Sequence, residues 1–570
     1  MSEPSVPANV AAVDLLAENR ADPSTLHRRI NWTGAFWVAS GVPALVLFSM
    51  GAVAATVGQP AWLIWIISIS FGFLQAFTYA EIAGLFPHKT GGASVYGAVA
   101  WIRYIKIVAP ISVWCNWIAW GPVLAIGSGL AAGYILSALF APDAVINSWQ
   151  ITLVDLSYLK DGLSLRINAT FIIGSALMLV VFAIQNGGIL RSARATMIFG
   201  LTGLLPLLLV GLVPLITGDL PLSNLTPLTP LAYDSIGNVI DGEWNLEGWK
   251  LMAGGLFIAA WSTYGFETAV CYTREFKNPK SDTFKAIFFS GLLCIAVFTL
   301  VPLAFQGHLG LGQLVERETL NSAGHVVAPA VYDGMLSAEI YSGMGVANVL
   351  AGILGGNSMF ANVFVVMLVL ALLLSVMTTM AGSSRTLYQG SIDGMLPAYL
   401  SKVNEQGAPT AAMWTNLIVN LVLLSMSDYV FLLAASNVGY IIFNFLNLNA
   451  GWIHRLDRPN WERPYRAPTV LIAIGTLLSY VNMVLMGMGA NVWGRGTLMS
   501  GILLALLVIP IFIWRHYLVD KGIFPKAMRE DMSLDENGGD IICRAGILPY
   551  LVLLAGILIV FFSSLLVADL

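Results

Sequence analysis

Stretches of about twenty consecutive apolar residues recur along almost the whole chain, and each is long enough to cross a hydrocarbon core of about 30 Å as an α-helix. They fall near 34–57, 61–85, 107–139, 167–186, 195–217, 250–272, 283–306, 357–388, 411–427, 430–453, 469–490, 497–518 and 547–567, and are numbered here as segments 1 to 13. A lipid interior offers no water to backbone N–H and C=O groups, so only helices or closed barrels cross it. Continuous apolar runs of this length predict helices, and the expected fold class is all-α integral membrane. Composition agrees, with 57% hydrophobic and 11% charged residues against about 45–50% and about 25% in soluble domains. No polar block between the segments is long enough to fold separately, so one integral domain is expected. A net charge of −4 gives no basic footprint for nucleic acid; the bilayer is the partner this composition implies.

Residues 1–33 carry charges and lack an apolar core ending in a small-residue cleavage site, so an uncleaved, cytoplasmic N-terminus is expected. Lys and Arg are retained on the cytoplasmic face, which tests that orientation. With the N-terminus inside, the inner stretches hold Arg20, Arg28, Arg29; Lys89, Arg103, Lys106; Arg191, Arg194; Arg274, Lys277, Lys280, Lys285; Arg385, Lys402; Arg455, Arg458, Arg463, Arg466; and Arg515, Lys521, Lys526, Arg529, Arg544. That is 23 of the 28 basic residues, leaving Lys160, Arg166, Lys250, Arg317 and Arg495 outside. A single misplaced segment would exchange every later loop and spoil the asymmetry. The outer loops are acidic, one carrying Asp219, Asp234, Asp241, Glu243 and Glu247. A multi-pass protein of a bacterial inner membrane is the expected localisation. Cys115, Cys271 and Cys294 lie in or at the ends of segments and Cys543 in the last inner stretch, so no outer pair suggests a disulfide; the six His show no metal-ligand spacing, and no cofactor is expected.

Two segments are interrupted in matching places. Segment 1 contains Ser40-Gly41-Val42-Pro43, and segment 6, five segments later, contains Ser262-Thr263-Tyr264-Gly265. Either alone is an ordinary kink, since Gly and Pro are common in membrane helices. Paired interruptions in corresponding positions of two halves point instead to a transporter's binding site. Spans 1–5 and 6–10 are then expected to form an inverted repeat. Opening a helix at membrane depth frees backbone groups that must meet protein, water or ligand. N-terminal half-helix ends attract a carboxylate and C-terminal carbonyls an ammonium, which together suit a zwitterion.

The stretch WSTYGFETAVCYTREFKNPKSDTFKAI at 261–287 resembles the sixth-span signature of the amino acid–polyamine–organocation transporters, in which a Gly-aromatic-Glu core leads to an E-x-x-N-P-x-x-D loop. AEIAGLFPHKTGGASVYG at 80–97, NGGILRSARA at 186–195 and GSSRTLYQGSIDGMLPAYLSKVNEQGAP at 382–409 are similar to further motifs of that family, in the same order, so the resemblance covers roughly residues 35–455. It implies a LeuT-type fold of two inverted five-helix repeats with discontinuous helices 1 and 6. It also implies alternating-access transport of an amino acid or amine, with a polyamine or organic-cation exchanger as the alternative. The division expected is a tail over 1–33, a transporter core over 34–455 and accessory helices over 456–570.

By the same resemblance, Ser40, Gly41 and Val42 would offer N–H groups to a substrate carboxylate, and Ser262, Thr263 and Tyr264 carbonyls to its amino group. The WSTYGFE stretch looks closest to the arginine/agmatine exchangers, whose Trp stacks over the substrate; Trp261 is the residue in that place, with packing the alternative. Trp120 stands where those exchangers carry a polar residue, so arginine is not assigned. Side-chain preference rests on which of Trp117, Trp120, Trp261, Tyr264 and Phe266 face the cavity beside Gly265. Many proton-coupled relatives carry a Lys in the fifth span, where this chain has Gly203.

Glu267 has two readings. A mid-membrane carboxylate costs about 2.5–3.5 kcal/mol when ionised and usually marks an ion or proton path; equally, it can be a structural acceptor for N–H groups freed by the break. Ser375, Thr378 and Thr379 in segment 8 could ligate Na⁺, with helix-packing hydroxyls the commoner alternative. Coupling to H⁺, to Na⁺ or by exchange is left open. Glu81 and Arg385, at inner ends of segments 2 and 8, are candidate gate residues. Two other classes compete: a non-transporting amino-acid sensor, which would need an effector domain that the short inner stretches do not supply, and a membrane enzyme, for which no nucleophile or mid-membrane acid–base cluster is present.

Overall fold

The computed structural model describes residues 26–568, apart from 142, 158–162, 219, 321–325, 342–344, 347–348, 350–357 and 534–542. Arg20, Lys160 and Asp219 lie outside the described residues, as does most of the expected tail. Each of the thirteen apolar segments is mainly helical over its described residues. Ten helical stretches, from Trp32–Val57 to Leu548–Leu566, are long and apolar enough to cross a membrane, and Ala169–Gln185 and Thr410–Leu424 are shorter apolar helices. Segment 6 accounts for the remaining one, divided into an α-helix Leu246–Thr263 and a 3₁₀-helix Gly265–Glu275.

Burial sorts these helices into a centre and a periphery. Of the most apolar window of Trp32–Val57, 94% is buried, and of Tyr429–Asp457, 89%; the windows of Thr497–Val519 and Leu548–Leu566 are 33% and 28% buried. Segments 1 and 10 therefore run through the middle, while segments 12 and 13 present apolar side chains outward, as lipid-facing helices do.

Among the described residues, the hydrogen bonds and ion pairs between connecting loops fall into two sets. On one face, the backbone N–H groups of Arg29 and Ile30 donate to the Glu275 carbonyl, Asn404 bonds Asn186, Lys280 pairs with Glu462 and Arg103 reaches the Met532 carbonyl. On the other, Gln306 donates to the Gln59 carbonyl and Trp62 to that of Leu225, and Tyr332 reaches Gly237. Strands absent from the sequence expectations lie in this second set: Gln150–Asp155 pairs antiparallel with Ser164–Asn168, and Leu231–Tyr233 with Val239–Asp241. These short hairpins sit between the apolar segments or at their edge, where water or neighbouring loops can satisfy sheet edges. The first set is the one expected to be basic.

Candidate substrate site

The break in segment 1 is tighter than an open unwinding. An α-helix Trp32–Ala39, capped at its start by Asn31, is followed by a 3₁₀ turn Val42–Leu45 and a second α-helix Val46–Val57. Ser40 and Gly41 stay in right-handed helical geometry, at ψ of −4° and −15°. Pro43 has no N–H to give the carbonyl four residues back, so the chain crosses from the first α-helix to the second by shorter-range bonding. The expectation of freely projecting half-helix ends is corrected accordingly. Gly41 earns its place by close approach: a Cβ there would run into the Leu374 carbonyl and lie 2.5 Å from Thr378 Oγ1.

Thr378 bridges this break. Its hydroxyl donates to the Val38 carbonyl at 2.6 Å and accepts the Gly41 N–H at 3.0 Å. The Gly41 donor expected for a substrate carboxylate is thus already partnered in this structure. Ser375 donates to the Leu372 carbonyl of its own helix. Both hydroxyls hold helix geometry here, and any cation would draw on the lone pairs left over.

In segment 6 the α-helix ends at Thr263 and eleven residues, Gly265–Glu275, continue as 3₁₀. Runs of that kind longer than about 3–4 residues are uncommon and often mark a functional hinge. Gly265 faces the first break and segment 3 at once, since a Cβ there would lie 2.5 Å from the Trp120 ring and 3.0 Å from Val42. Trp120 donates its indole N–H to Glu267 Oε1 at 3.2 Å and packs 5.9 Å, centroid to centroid, from Trp261. Trp261 in turn donates to the Ala119 carbonyl at 2.9 Å and tilts against Phe48. The other Glu267 oxygen, Oε2, makes no close hydrogen bond, although Glu267 is 1% exposed. Trp120, Trp261, Gly265 and Glu267 therefore converge with the Gly41–Val42 turn.

A gap at this junction is lined by Gly41, Val42, Leu45, Trp120, Thr268, Ser375, Thr378 and Thr379, and it is too tight to admit a water molecule. Thr268 is a lining residue that sequence reasoning missed; its hydroxyl is buried without a partner. Other expected members face elsewhere. Phe266 packs on Phe73 and beside Gly291, away from the gap. Trp117 donates to Asn416 Oδ1, Ser40 donates to the Trp37 carbonyl, and Ser262 and Thr263 bond Leu45 O and Ser68 Oγ. Tyr264 points across to Asn482 in segment 11.

Gly203 has a steric reason for lacking a side chain. A Cβ at that position would lie 2.8 Å from the Ala371 nitrogen of segment 8, and one at Gly200 would lie 3.2 Å from Ser40 Oγ. Two glycines thus let segment 5 approach segments 1 and 8 closely.

The two gate candidates do not pair with each other. Glu81 accepts from Arg455 at 2.9 and 2.6 Å, from Arg463 at 3.0 Å and from the Ala467 N–H at 2.8 Å. Arg385 makes a bidentate pair with Glu275, donates to the Ala381 carbonyl and lies over the Tyr272 ring. Glu275 belongs to the E-x-x-N-P-x-x-D stretch, which was the available signal for it. A third tie was not anticipated: Lys89, 1% exposed, reaches Asp393 at 2.6 Å and Asp531 at 2.9 Å, and His88 reaches Asp531 at 2.8 Å. Burial alone would pull the Lys89 ammonium down, but the two carboxylates overcome it and hold it above the ordinary lysine value. Burial pushes Asp531 up, and Lys89 and His88 bring it below the ordinary carboxylate value.

Paired interruptions meeting at a buried aromatic and hydroxyl-lined centre, inside a bundle of membrane-length helices, define a membrane transporter of LeuT-type fold. The chain belongs to the amino acid permease family, whose model matches residues 30–514, within the amino acid–polyamine–organocation transporters. It is 26% identical to an uncharacterised transporter of Legionella pneumophila over 67% of this chain and 69% of that protein. It is 23% identical to a polyamine transporter of Oryza sativa subsp. japonica, over 80% of this chain and 75% of that one. With a branched-chain amino acid permease of Bacillus subtilis it shares 22% identity over 79% of this chain and 84% of that one.

Proposed function

We propose that this permease is a secondary transporter that carries an α-amino acid through a site between the segment 1 and segment 6 breaks, exposing it alternately to the two faces. The observation that carries this is the meeting of Gly41, Trp120, Trp261, Gly265 and Glu267 at one buried centre. Saturable uptake of labelled amino acids into vesicles, lost on Gly265→Leu and on Trp261→Ala, is the test; unimpaired transport by both variants would overturn the site. The face carrying the Lys89, Glu81 and Arg385 ties is proposed to be cytoplasmic, in a bacterial inner membrane, with segments 1–10 as the core and the later helices as accessories.

A polyamine is the second reading, favoured by the name of the rice relative. Against it, Glu267 is the one carboxylate bonded to a lining residue among the described residues, enough to oppose a single ammonium. Indole faces can add about 0.5–2 kcal/mol of attraction for a cation, but a chain of several ammonium groups needs more anionic partners. Competition of putrescine against a neutral amino acid separates the readings. For coupling, we propose a proton taken up at Glu267, or exchange, ahead of Na⁺, because Thr378 and Ser375 are engaged in helix bonds. Loading vesicles with unlabelled substrate after dissipating all ion gradients distinguishes exchange from symport.

A further inference from the structure

Five buried uncharged side chains form a branched line of hydrogen bonds behind the segment 6 break. The Tyr264 hydroxyl donates to Asn482 Oδ1 at 3.0 Å; Asn482 Nδ2 donates to Asn444 Oδ1 at 3.1 Å; Asn444 Nδ2 donates to Gln75 Oε1 and to the Tyr79 hydroxyl, each at 2.7 Å. The line joins segments 6, 11, 10 and 2, and none of its members is more than 2% exposed. Carboxamides in the interior of a membrane bundle are costly unless bonded. A row of them with a common donor direction polarises and reinforces itself, and removal of one member leaves its neighbours unsatisfied.

Tyr264 is the residue at which segment 6 leaves α-helical geometry, capping Leu246–Thr263 immediately before the 3₁₀ run. Segment 11 also grips the same helix farther along. The Trp493 indole donates to the Gly254 carbonyl at 2.9 Å, and a Cβ on Gly489 would lie 2.5 Å from the Ala253 and Gly254 backbone. One helix outside the ten that carry both breaks thus holds the first half of segment 6 at two points, near its middle and at its break.

We propose that Asn482 is a positioning residue of the transport site: through the Tyr264 phenol it fixes where segment 6 changes helical form, and so where the Trp261–Gly265 stretch stands against Trp120. Segment 11 is then a working part of the transporter rather than a peripheral scaffold. This rests on the reading that the segment 6 break forms the site.

The test uses the full chain, in nanodiscs for amide exchange and in sealed vesicles for uptake. Asn482→Leu and Tyr264→Phe remove the same bond, and one buried hydrogen bond corresponds to about fivefold to tenfold in an equilibrium. Amide exchange over residues 260–268 should speed by about that factor in Tyr264→Phe, by at least that factor in Asn482→Leu, which also loses the bond to Asn444, and by no more in the double variant than in Asn482→Leu alone, because the effect of the phenol runs through their shared contact. Uptake of L-leucine should show a raised KM at unchanged Vmax. Unaltered exchange over 260–268 in Tyr264→Phe, or exchange effects that add in the double variant, would overturn the assignment even if Asn482→Leu folds poorly. If the wild type moves no amino acid, the proposed function falls, whereas the exchange comparison still decides the role of Asn482.

Discussion

At the level of single residues, the centre of the molecule is defined by what has no room to change. A methyl group on Gly265 would meet both the Trp120 ring and Val42, and neither is the free end of a flexible chain. Overpacking of this kind typically costs about 1–3 kcal/mol, and here the strain falls on the two elements between which the substrate site is proposed. Gly265→Ala is therefore expected to lower uptake at least tenfold while leaving a folded, extractable protein, as read by transport beside a thermal melt. Glu267 supports a different prediction. One carboxylate oxygen is committed to Trp120 and the other makes no close hydrogen bond, so Glu267→Gln keeps an acceptor for the indole and removes the titrating group. Counterflow exchange should persist in this variant while acceleration by an inward proton gradient disappears; gradient-driven uptake equal to the wild type would remove Glu267 from the coupling path.

At the level of elements, much of the architecture was legible because lipid imposes a simple grammar: long apolar runs become helices, and basic loops gather on one side. All thirteen segments and the division of loops into two sets follow from it. The pairing of Gly41 with Gly265 was readable too, since both residues interrupt otherwise continuous runs. The form of the interruptions was not. Sequence marks where an α-helix weakens, but whether it opens or tightens into 3₁₀ depends on partners from distant segments, such as Thr378, 337 residues from Gly41. Side-chain rotation was equally hidden, so Phe266 faced Phe73 instead of the gap, and the Asn482 connection to Tyr264 had no local signature. Thr378→Val tests the bridging role directly, being similar in shape but unable to bond. It should lower thermal stability by about 1–3 kcal/mol, the cost of leaving Gly41 N–H and Val38 C=O unsatisfied, with no change in the dependence of uptake on Na⁺. A selective loss of Na⁺ dependence would instead make Thr378 a cation ligand.

For the whole molecule, the basic face is closed by three separate charge ties that join different layers. Glu81 with Arg455 and Arg463 links segment 2 to the loop after segment 10. Arg385 with Glu275 links segment 8 to the end of segment 6. Lys89 joins the loop after segment 2 to the end of segment 8 through Asp393 and to the helix Lys526–Ser533, between segments 12 and 13, through Asp531. That helix is further held by Arg103 on the Met532 carbonyl and Arg458 on the Asp531 carbonyl. Within this tie the folded-state shifts of the Lys89–Asp531 pair run outward, whereas burial pushes Asp393 above the ordinary carboxylate value. Lys89 is raised, so its contribution is present below the ordinary lysine value near 10.5 and is lost as pH rises through its folded value. Asp531 is lowered, so its contribution is present above about 3.8 and is lost as pH falls through its folded value. The Lys89–Asp531 pair is therefore intact across neutral pH, and parting it there requires mechanical separation rather than titration of these two groups. The loop it anchors covers Cys271: Thr90 donates to the Cys271 carbonyl, the Gly91 N–H donates there at 3.0 Å, and a Cβ on Gly92 would lie 2.9 Å from its sulfur. Removing one partner of a buried charge is costly, about 3–5 kcal/mol when no second partner remains, and Lys89 would keep Asp393. Asp531→Asn should thus loosen the loop without unfolding the bundle. In a Cys543→Ser background, which removes the exposed thiol, labelling of Cys271 by a water-soluble maleimide should accelerate severalfold at pH 7. Equal labelling rates with and without Asp531→Asn would mean that the helix between segments 12 and 13 rests on this face without holding it shut.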